Sequence, residues 1–479
     1  MRLNPSLLYA RVLASDATCN GQFFFGVTST GIYCLPSCKA RKPKPENTRY
    51  FPTAEAARAA GLRACKKCHP DDFARGADPV LESIEQLVAA FRENPAAFAD
   101  ARAIVKRSGF GATRLFELFR QHYHATPADL LLRARIETAR RRLLADDATL
   151  ADVAFGVGFE SLSVFHDQFR RLNGLTPSAY RELRTATVFE LALPPGYPLA
   201  YLRHALGRDA HSLIERLHGD DYTTVVQLIH GPARLQLKLS PERVRAEVRG
   251  DFSASASPAA EAHAIVTGLL GLGQDAEAFA RLARKLGLAR LVAGRPSLRL
   301  SQTPSVFDGL LWAIIGQQIN LPFAFQLKRR LTELAGPEFG DGLYAPPTPA
   351  QVARLSPDDL RPLQFSRQKA DYVLSVCRLI TEGKLDLDRL RMLSATRAAR
   401  TLLDIRGLGP WSVNYLMMRS LGFADCVPLG DTGVTSGLQA VFKLDERPDA
   451  DATQRLMMVF SPYRSLATAH LWQFNRTTP

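Results

Sequence analysis

Thr30-Gly31-Ile32-Tyr33-Cys34-Leu35-Pro36-Ser37-Cys38, answered by Cys65-Lys66-Lys67-Cys68, sets the reading of this chain. Two close cysteine pairs separated by a basic segment form the usual ligand set of a tetrahedral zinc site. Pairs spaced by two or three residues let each of two loops supply two thiolates. Upstream, GQFFFGVTSTGIYC (21–34) reads as an apolar strand, a glycine turn and a second strand that carries Cys34. Downstream, TAEAARAAGLRAC (53–65) reads as a helix opened by Thr53 and stopped by Gly61, which delivers the second pair. Cys19 lies outside the pattern and reads as an ordinary buried thiol. The spacing fits a zinc that only staples a small domain, and it also fits one that activates a thiolate. Four thiolates around one Zn2+ carry a formal 2− charge, which keeps a coordinated sulfur nucleophilic at neutral pH.

A length of 479 residues calls for three or four domains, and 46% hydrophobic content supports real cores. The net charge of +14 points to a polyanion, most simply nucleic acid, although a basic surface also serves solubility. Residues 1–75 hold 12 Lys and Arg against 5 Asp and Glu, whereas 76–184 hold 15 against 14. The excess therefore lies toward the two ends. Lys39, Arg41, Lys42, Lys44, Arg49, Lys66 and Lys67 surround the cysteines and are candidates for phosphate contact or for a solvated basic face. No stretch reads as a signal peptide or a membrane span, and seven cysteines, four of them clustered, do not form a secreted disulfide framework. The expected location is a reducing, bacterial-type cytoplasm.

TGIYCLPSCKAR (30–41) followed by AGLRACKKCHPD (60–71) resembles the N-terminal domain of the bacterial adaptive-response protein Ada. In that family the first cysteine is both zinc ligand and sacrificial acceptor of a methyl group from a DNA phosphotriester. The resemblance implies that Cys34 is the acceptor and that Cys34, Cys38, Cys65 and Cys68 hold one Zn2+. Lys39, Arg41 and Lys42 are then DNA-binding candidates. Leu35 stands where family members often have Arg.

Residues 78–184 are helical by period and contain a repeat. IVKRSGFGATRLFELFRQHYHATP (104–127) and DVAFGVGFESLSVFHDQFRRLNGLTP (152–177) each read as a short helix, a Gly-Phe turn, a longer amphipathic helix and a closing Thr-Pro. That is the helix-turn-helix pattern, and PADLLLRARIETARRRLLADD (127–147) joins the two copies as one helix. The tandem resembles the AraC-type transcription activators, which implies recognition helices at 111–121 and 161–172. Phe116, Phe119, Phe165 and Phe169 fall on the core stripe. Thr113, Arg114 and Glu117 in the first copy, and Ser163, His166 and Asp167 in the second, are groove-facing candidates. The second set is poor in Arg and Gln, so weak base readout is expected there.

Past a linker ending near Thr187, alternating β-branched residues broken by Gly and Pro suggest a β-rich packing platform. From 301 onward the chain reads as helices. The segment before Arg406-Gly407-Leu408-Gly409 ends in a tight turn, and a new helix starts at Pro410 or Trp411. Its first N–H groups are free to face a phosphate. Asp431 follows 22 residues after Gly409. The combination resembles the helix-hairpin-helix DNA glycosylases, and GLGPWSVNY (407–415) with PYRSLATAHLW (462–472) resembles the AlkA type. The resemblance implies Asp431 as catalytic carboxylate and Gln317, Trp411, Tyr415 and Tyr463 around the base. Gly407 and Gly409 would lie at the DNA backbone. Lyase-type relatives carry a Lys where this chain has Trp411, so a monofunctional enzyme is expected. The cysteines that would hold an iron–sulfur cluster are absent, and so is a Pro-Cys-His-Arg segment.

The expected fold is multidomain and mainly α: a small α/β zinc domain (1–77), an all-α double helix-turn-helix (78–186), an α+β lead-in (187–300) and an all-α helix-hairpin-helix domain (301–479). The expected function is repair of alkylated double-stranded DNA coupled to transcriptional control, with RNA polymerase as partner and DNA-3-methyladenine glycosylase II chemistry. The alternative is a non-catalytic DNA-binding regulator with a structural zinc.

Overall fold

The computed structural model describes residues 5–16, 19–74, 76, 78–252 and 257–474. It divides into two compact units, 1–89 and 90–479. The division falls inside the helix Pro79–Glu93, and Ala77, the expected boundary residue, lies outside the described residues.

The first unit is built on a four-stranded sheet in the order β3-β1-β2-β4, with β1 (Phe24–Val27), β2 (Ile32–Cys34), β3 (Thr48–Phe51) and β4 (Arg63–Ala64). Helix α1 (Ala54–Ala59) is capped by Thr53, whose side chain accepts from the Ala56 N–H. That bond satisfies one of the donors a helix start leaves open. Gly26 permits the close approach of this layer, because a Cβ there would sit 2.2 Å from Leu62 Cδ1 and 2.8 Å from the Phe51 ring. Phe24, Tyr33, Leu35, Ala54 and Ala57 fill one face of the sheet, while Phe23, Phe25 and three of the clustered cysteines fill the other.

In the second unit, α2 (Ala101–Ser108) and α3 (Ala112–Tyr123) form the first helix-turn-helix, turning at Gly109. Helix α4 (Pro127–Ala145) opens with a capping box between Thr126 and Asp129 and leads to the second pair, α5 (Leu150–Gly156) and α6 (Leu162–Asn173). Phe119, Phe165 and Phe169 are fully buried, as their stripe requires, and Phe116 is only half-buried.

A five-stranded antiparallel sheet follows in the order β5-β9-β8-β7-β6. Its strands are β5 (Val188–Ala192), β6 (Glu215–His218), β7 (Asp221–Leu228), β8 (Gly231–Leu239) and β9 (Arg243–Arg249), with helix α7 (Leu199–Leu206) between β5 and β6. The period-2 pattern is clear in β9, where Val244, Ala246 and Val248 point inward and Arg243, Arg245 and Arg249 outward. They oppose Leu239, Leu237 and Leu235 of β8 in register.

The link expected to end near Thr187 is short, residues 183–187 between the helix Pro177–Glu182 and β5. Val188 begins β5, and Val248 N donates to Thr187 O at 2.8 Å. Phe165, Phe169, Leu175, Tyr180 and Leu183 share one core with Leu191, Leu235 and Ala246, so the second helix-turn-helix and the sheet bury one apolar surface. On the helix Pro258–Leu269, which packs into the same core, the buried His263 Nε2 lies 2.8 Å from Asn173 O at the end of α6.

A separate core includes α8 (Val306–Ile315), α9 (Ala395–Leu403) and α10 (Pro410–Arg419). A third core joins α11 (Thr432–Phe442) to α12 (Arg464–Phe474). Helix α3 meets α9 through the buried His122, whose Nδ1 lies 2.9 Å from Thr396 Oγ1.

Candidate functional site

The cysteine site is assembled by sheet pairing. Strand β2 runs parallel to β4 with Tyr33 opposite Ala64, and Cys65 N donates to Tyr33 O at 3.0 Å. This register sets Cys34 beside Cys65. Turns then add the second member of each pair, with Cys38 N donating to Leu35 O at 2.9 Å. All four sulfurs lie within 4.8 Å of one another. A tetrahedral Zn2+ with bonds near 2.3 Å spaces its sulfurs by roughly 3.8 Å, so the set fits one such ion.

The site's electrostatics point the same way. Leu35 N and Lys67 N donate to the sulfurs of Cys68 and Cys65, both at 3.4 Å. Hydrogen bonding to Cys38 and Cys68 drives the Cys34 thiol far upward, while hydrogen bonding from Cys34 pulls Cys38 down. Four crowded sulfurs thus compete for protons in a buried space, which a cation relieves.

Cys34 is only 4% exposed, and Cys68 is the most open of the four. Leu35 is buried in the sheet core, which explains an apolar residue at that position. Lys39 and Arg41 are exposed, whereas Lys42 is half-buried and donates from Nζ to Cys38 O at 2.6 Å.

On the helix-turn-helix pairs, Thr113 and Glu117 are exposed, and Arg114 is held by Glu117 at 3.1 Å. Ser163 and Asp167 are exposed, and His166 is half-buried with its ring edge-on to Phe165. Beside them Leu162 and Val164 face solvent, apolar groups that the sequence reading did not single out.

The third site is a hairpin and a cavity. Helix α9 ends before Gly407, whose φ of +98° excludes other residues and whose missing Cβ would lie 2.4 Å from the Tyr372 ring. Gly409 caps α10, and Pro410 starts it without wasting an N–H. Gln317 braces this turn, with Nε2 donating to Gly407 O at 2.8 Å and to Ser412 Oγ at 3.0 Å.

Asp431 caps α11. Its Oδ1 accepts from Val434 N at 3.0 Å and from Trp472 Nε1 at 2.9 Å, and its Oδ2 accepts from Trp411 Nε1 at 3.2 Å. Three donors fix the carboxylate at the wall of a cavity of about 770 Å³. Trp411 and Tyr415 stack there with centroids 5.2 Å apart, and Trp472 and Trp312 extend the aromatic lining.

Behind the site, Arg464 clamps Asp425 with bonds of 2.8 Å to Oδ1 and 2.9 Å to Oδ2. That pair anchors the loop leading to Asp431 against the start of α12. Burial also holds His124, beside Asp425, down at about 4.

Of the residues named from the sequence, Trp411, Tyr415 and Asp431 meet in the cavity. Gln317 does not line it, and neither does Tyr463, which lines a separate hollow of about 190 Å³ with His124 and Arg133. Tyr463 precedes α12 and Trp472 lies near its far end, nine residues and roughly 13 Å of helical rise away, and it is Trp472 that lines the cavity. Trp472 was within the stretch already quoted. Tyr201, Arg208, Trp312 and Arg419 also line the cavity and had no local signal.

Fold and sites define a DNA-binding protein in three modules: a thiolate metal domain, a paired helix-turn-helix, and a helix-hairpin-helix domain with an aromatic pocket. Family models match in that order: the metal binding domain of Ada over 8–71, a helix-turn-helix domain over 104–183, and the HhH-GPD superfamily of base excision DNA repair proteins over 311–462. In the order of its modules the chain is similar to bifunctional transcriptional activator/DNA repair enzymes, and its C-terminal part belongs to the DNA-3-methyladenine glycosylase family.

It is 29% identical over 491 residues to a Mycobacterium tuberculosis protein named "Probable bifunctional transcriptional activator/DNA repair enzyme AlkA", covering 97% of this chain and 95% of that one. It is 31% identical over 206 residues to the DNA-3-methyladenine glycosylase of Bacillus subtilis, covering 42% of this chain and 68% of that one. The fold resembles the 3-methyladenine DNA glycosylase of Archaeoglobus fulgidus, with a TM-score of 0.52 at 20% identity, over 60% of this chain and 98% of that one.

Proposed function

We propose that the chain repairs alkylated DNA at two centres and couples repair to transcription. The four expected domains, 1–77, 78–186, 187–300 and 301–479, are the proposed division of labour. The observation that carries the base-repair half is Asp431, held by two indole N–H groups and its own helix start at an aromatic cavity.

A base flipped out of the duplex stacks on Trp411 and Tyr415, whose electron-rich faces favour a cationic alkylpurine. As the N-glycosidic bond breaks, positive charge grows on the sugar, and the fixed Asp431 carboxylate stabilises it or orients water. No lysine lines the cavity among the described residues, which favours a monofunctional hydrolase of the 3-methyladenine glycosylase II type. Gly407, Gly409 and the first N–H groups of α10 would seat a phosphate. Release of 3-methyladenine from alkylated duplex DNA by the wild type and not by Asp431→Asn tests this.

At the other centre, Cys34, Cys38, Cys65 and Cys68 would hold one Zn2+, which keeps the sulfurs deprotonated at neutral pH. Cys34 Sγ attacks the methyl carbon of a phosphotriester: an S–C bond forms, the C–O bond breaks, and the phosphodiester anion leaves. The product is a neutral thioether, so one negative charge facing the DNA is lost and binding tightens. Lys39, Arg41, Lys42 and, on α3, Arg114 supply DNA contacts in this reading. RNA polymerase is the proposed partner of the methylated activator, in the bacterial cytoplasm. Equal DNA affinity before and after methylation would overturn the switch. The second reading, a regulator with a structural zinc, draws on the burial of Cys34. Mass analysis of the Cys34 peptide after exposure to phosphotriester DNA separates the two.

A further inference from the structure

The Asp431 cavity adjoins a smaller one of about 130 Å³, and Ala205, Arg208, Trp312, Tyr415 and Arg419 line both. Arg419 sits one helical turn beyond Tyr415 on α10, so its side chain lies just past the aromatic surface on which a base would stack. Its Nε is buried and has no hydrogen-bond partner.

Three carboxylates line the smaller cavity, and each is engaged elsewhere. Asp209 pairs with Arg329 at 2.5 Å, Glu215 accepts from the Tyr222 hydroxyl, and Asp308 accepts from Ser305 Oγ at 2.6 Å. Among the described residues no ion pair neutralises Arg419. A guanidinium with a buried donor left open, at the wall of a cavity lined by stacked aromatic rings, calls for an acceptor on a ring bound there.

We propose that Arg419 is a specificity-determining residue that donates to the carbonyl at position 6 of a flipped purine. The inference rests on the glycosylase reading of the Asp431 site. Guanine-type bases present an acceptor oxygen there, and adenine-type bases present an amino donor that the guanidinium opposes. Arg419 thus favours alkylated guanine over alkylated adenine. The charge of the two methylated bases is the same, so their ratio isolates the hydrogen bond.

The test uses the full chain on duplex DNA treated with a methylating agent, with 7-methylguanine and 3-methyladenine released from the same sample and quantified together. That ratio does not depend on how much of a variant is folded. Arg419→Met is expected to lower 7-methylguanine release relative to 3-methyladenine by about tenfold, and Arg419→Lys, which keeps a donor, by less. A parallel fall in both bases, or an unchanged ratio, overturns the proposal and leaves the glycosylase reading intact. Failure of the wild type to release either base overturns both.

Discussion

The two chemical centres of this chain are built in opposite ways. The thiolate cluster draws all four ligands from Cys34 to Cys68, on strands and turns that follow one another and are joined by sheet register. The Asp431 pocket draws its wall from Tyr201 to Gln473, so residues far apart in sequence converge through packing. A local centre stands or falls with its metal and its own small sheet. A dispersed centre depends on the clamps and cores that hold distant helices in place, and it can be tuned by residues that carry no motif.

The largest effect that would sharpen this contrast is metal removal. A strong chelator is expected to unfold 1–89, because structural Zn2+ contributes on the order of 10 kcal/mol to such domains. Base release should persist. Circular dichroism and a base-release assay on the same sample check this, and joint loss of both would break the claim that the centres are separately built.

Next comes the clamp behind Asp431. Arg464→Met leaves the buried Asp425 without its partner and is expected to cost about 3–5 kcal/mol in urea unfolding of the larger unit. Zinc content should not change.

Acid should also distinguish the units. Burial lowers His124 to about 4 and His263 and His470 to about 3, from an ordinary value near 6.5. Each is held neutral in the fold, so the unfolded chain takes up protons first. The stabilisation is complete above pH 6.5 and is lost as pH falls toward 4 and 3. At pH 5 the loss is about 2 kcal/mol per histidine. Urea midpoints at pH 7.5 and pH 5 measure it, and substituting His263 should shrink the difference. The first unit contains only His69, which is exposed.

The smallest expected effect is on orientation. Trp472→Phe removes one donor from Asp431 and keeps the aromatic wall, so base release should fall about tenfold with little change in stability. Loss of several orders of magnitude would instead make Trp472 indispensable to the chemistry.

The same contrast explains what could be read from the sequence. The zinc ligands, the paired helix-turn-helix and the Gly407 turn announce themselves within short windows, through spacing, caps and backbone conformation, whereas Asp431 is implied only by the likeness to helix-hairpin-helix glycosylases. Phe165 and Phe169 also betray their burial by helical period. The fused core between the second helix-turn-helix and the five-stranded sheet leaves no such mark, because Tyr180 and Leu235 each look like ordinary core residues of separate domains. Gln317 and Tyr463 were named from likeness, and the folded chain sets one behind the hairpin and the other in a different hollow. Arg419 reads locally as the basic end of a helix. Only the fold reveals that it faces a cavity.

The most direct test of two separately built centres is one sample of Asp431→Asn incubated with methylated duplex DNA. Released bases and the mass of the Cys34 peptide are read from the same reaction. The expected result is no base release above background and one methyl group on Cys34 at the wild-type extent. Undiminished release, or loss of the Cys34 methyl along with the bases, would contradict the account.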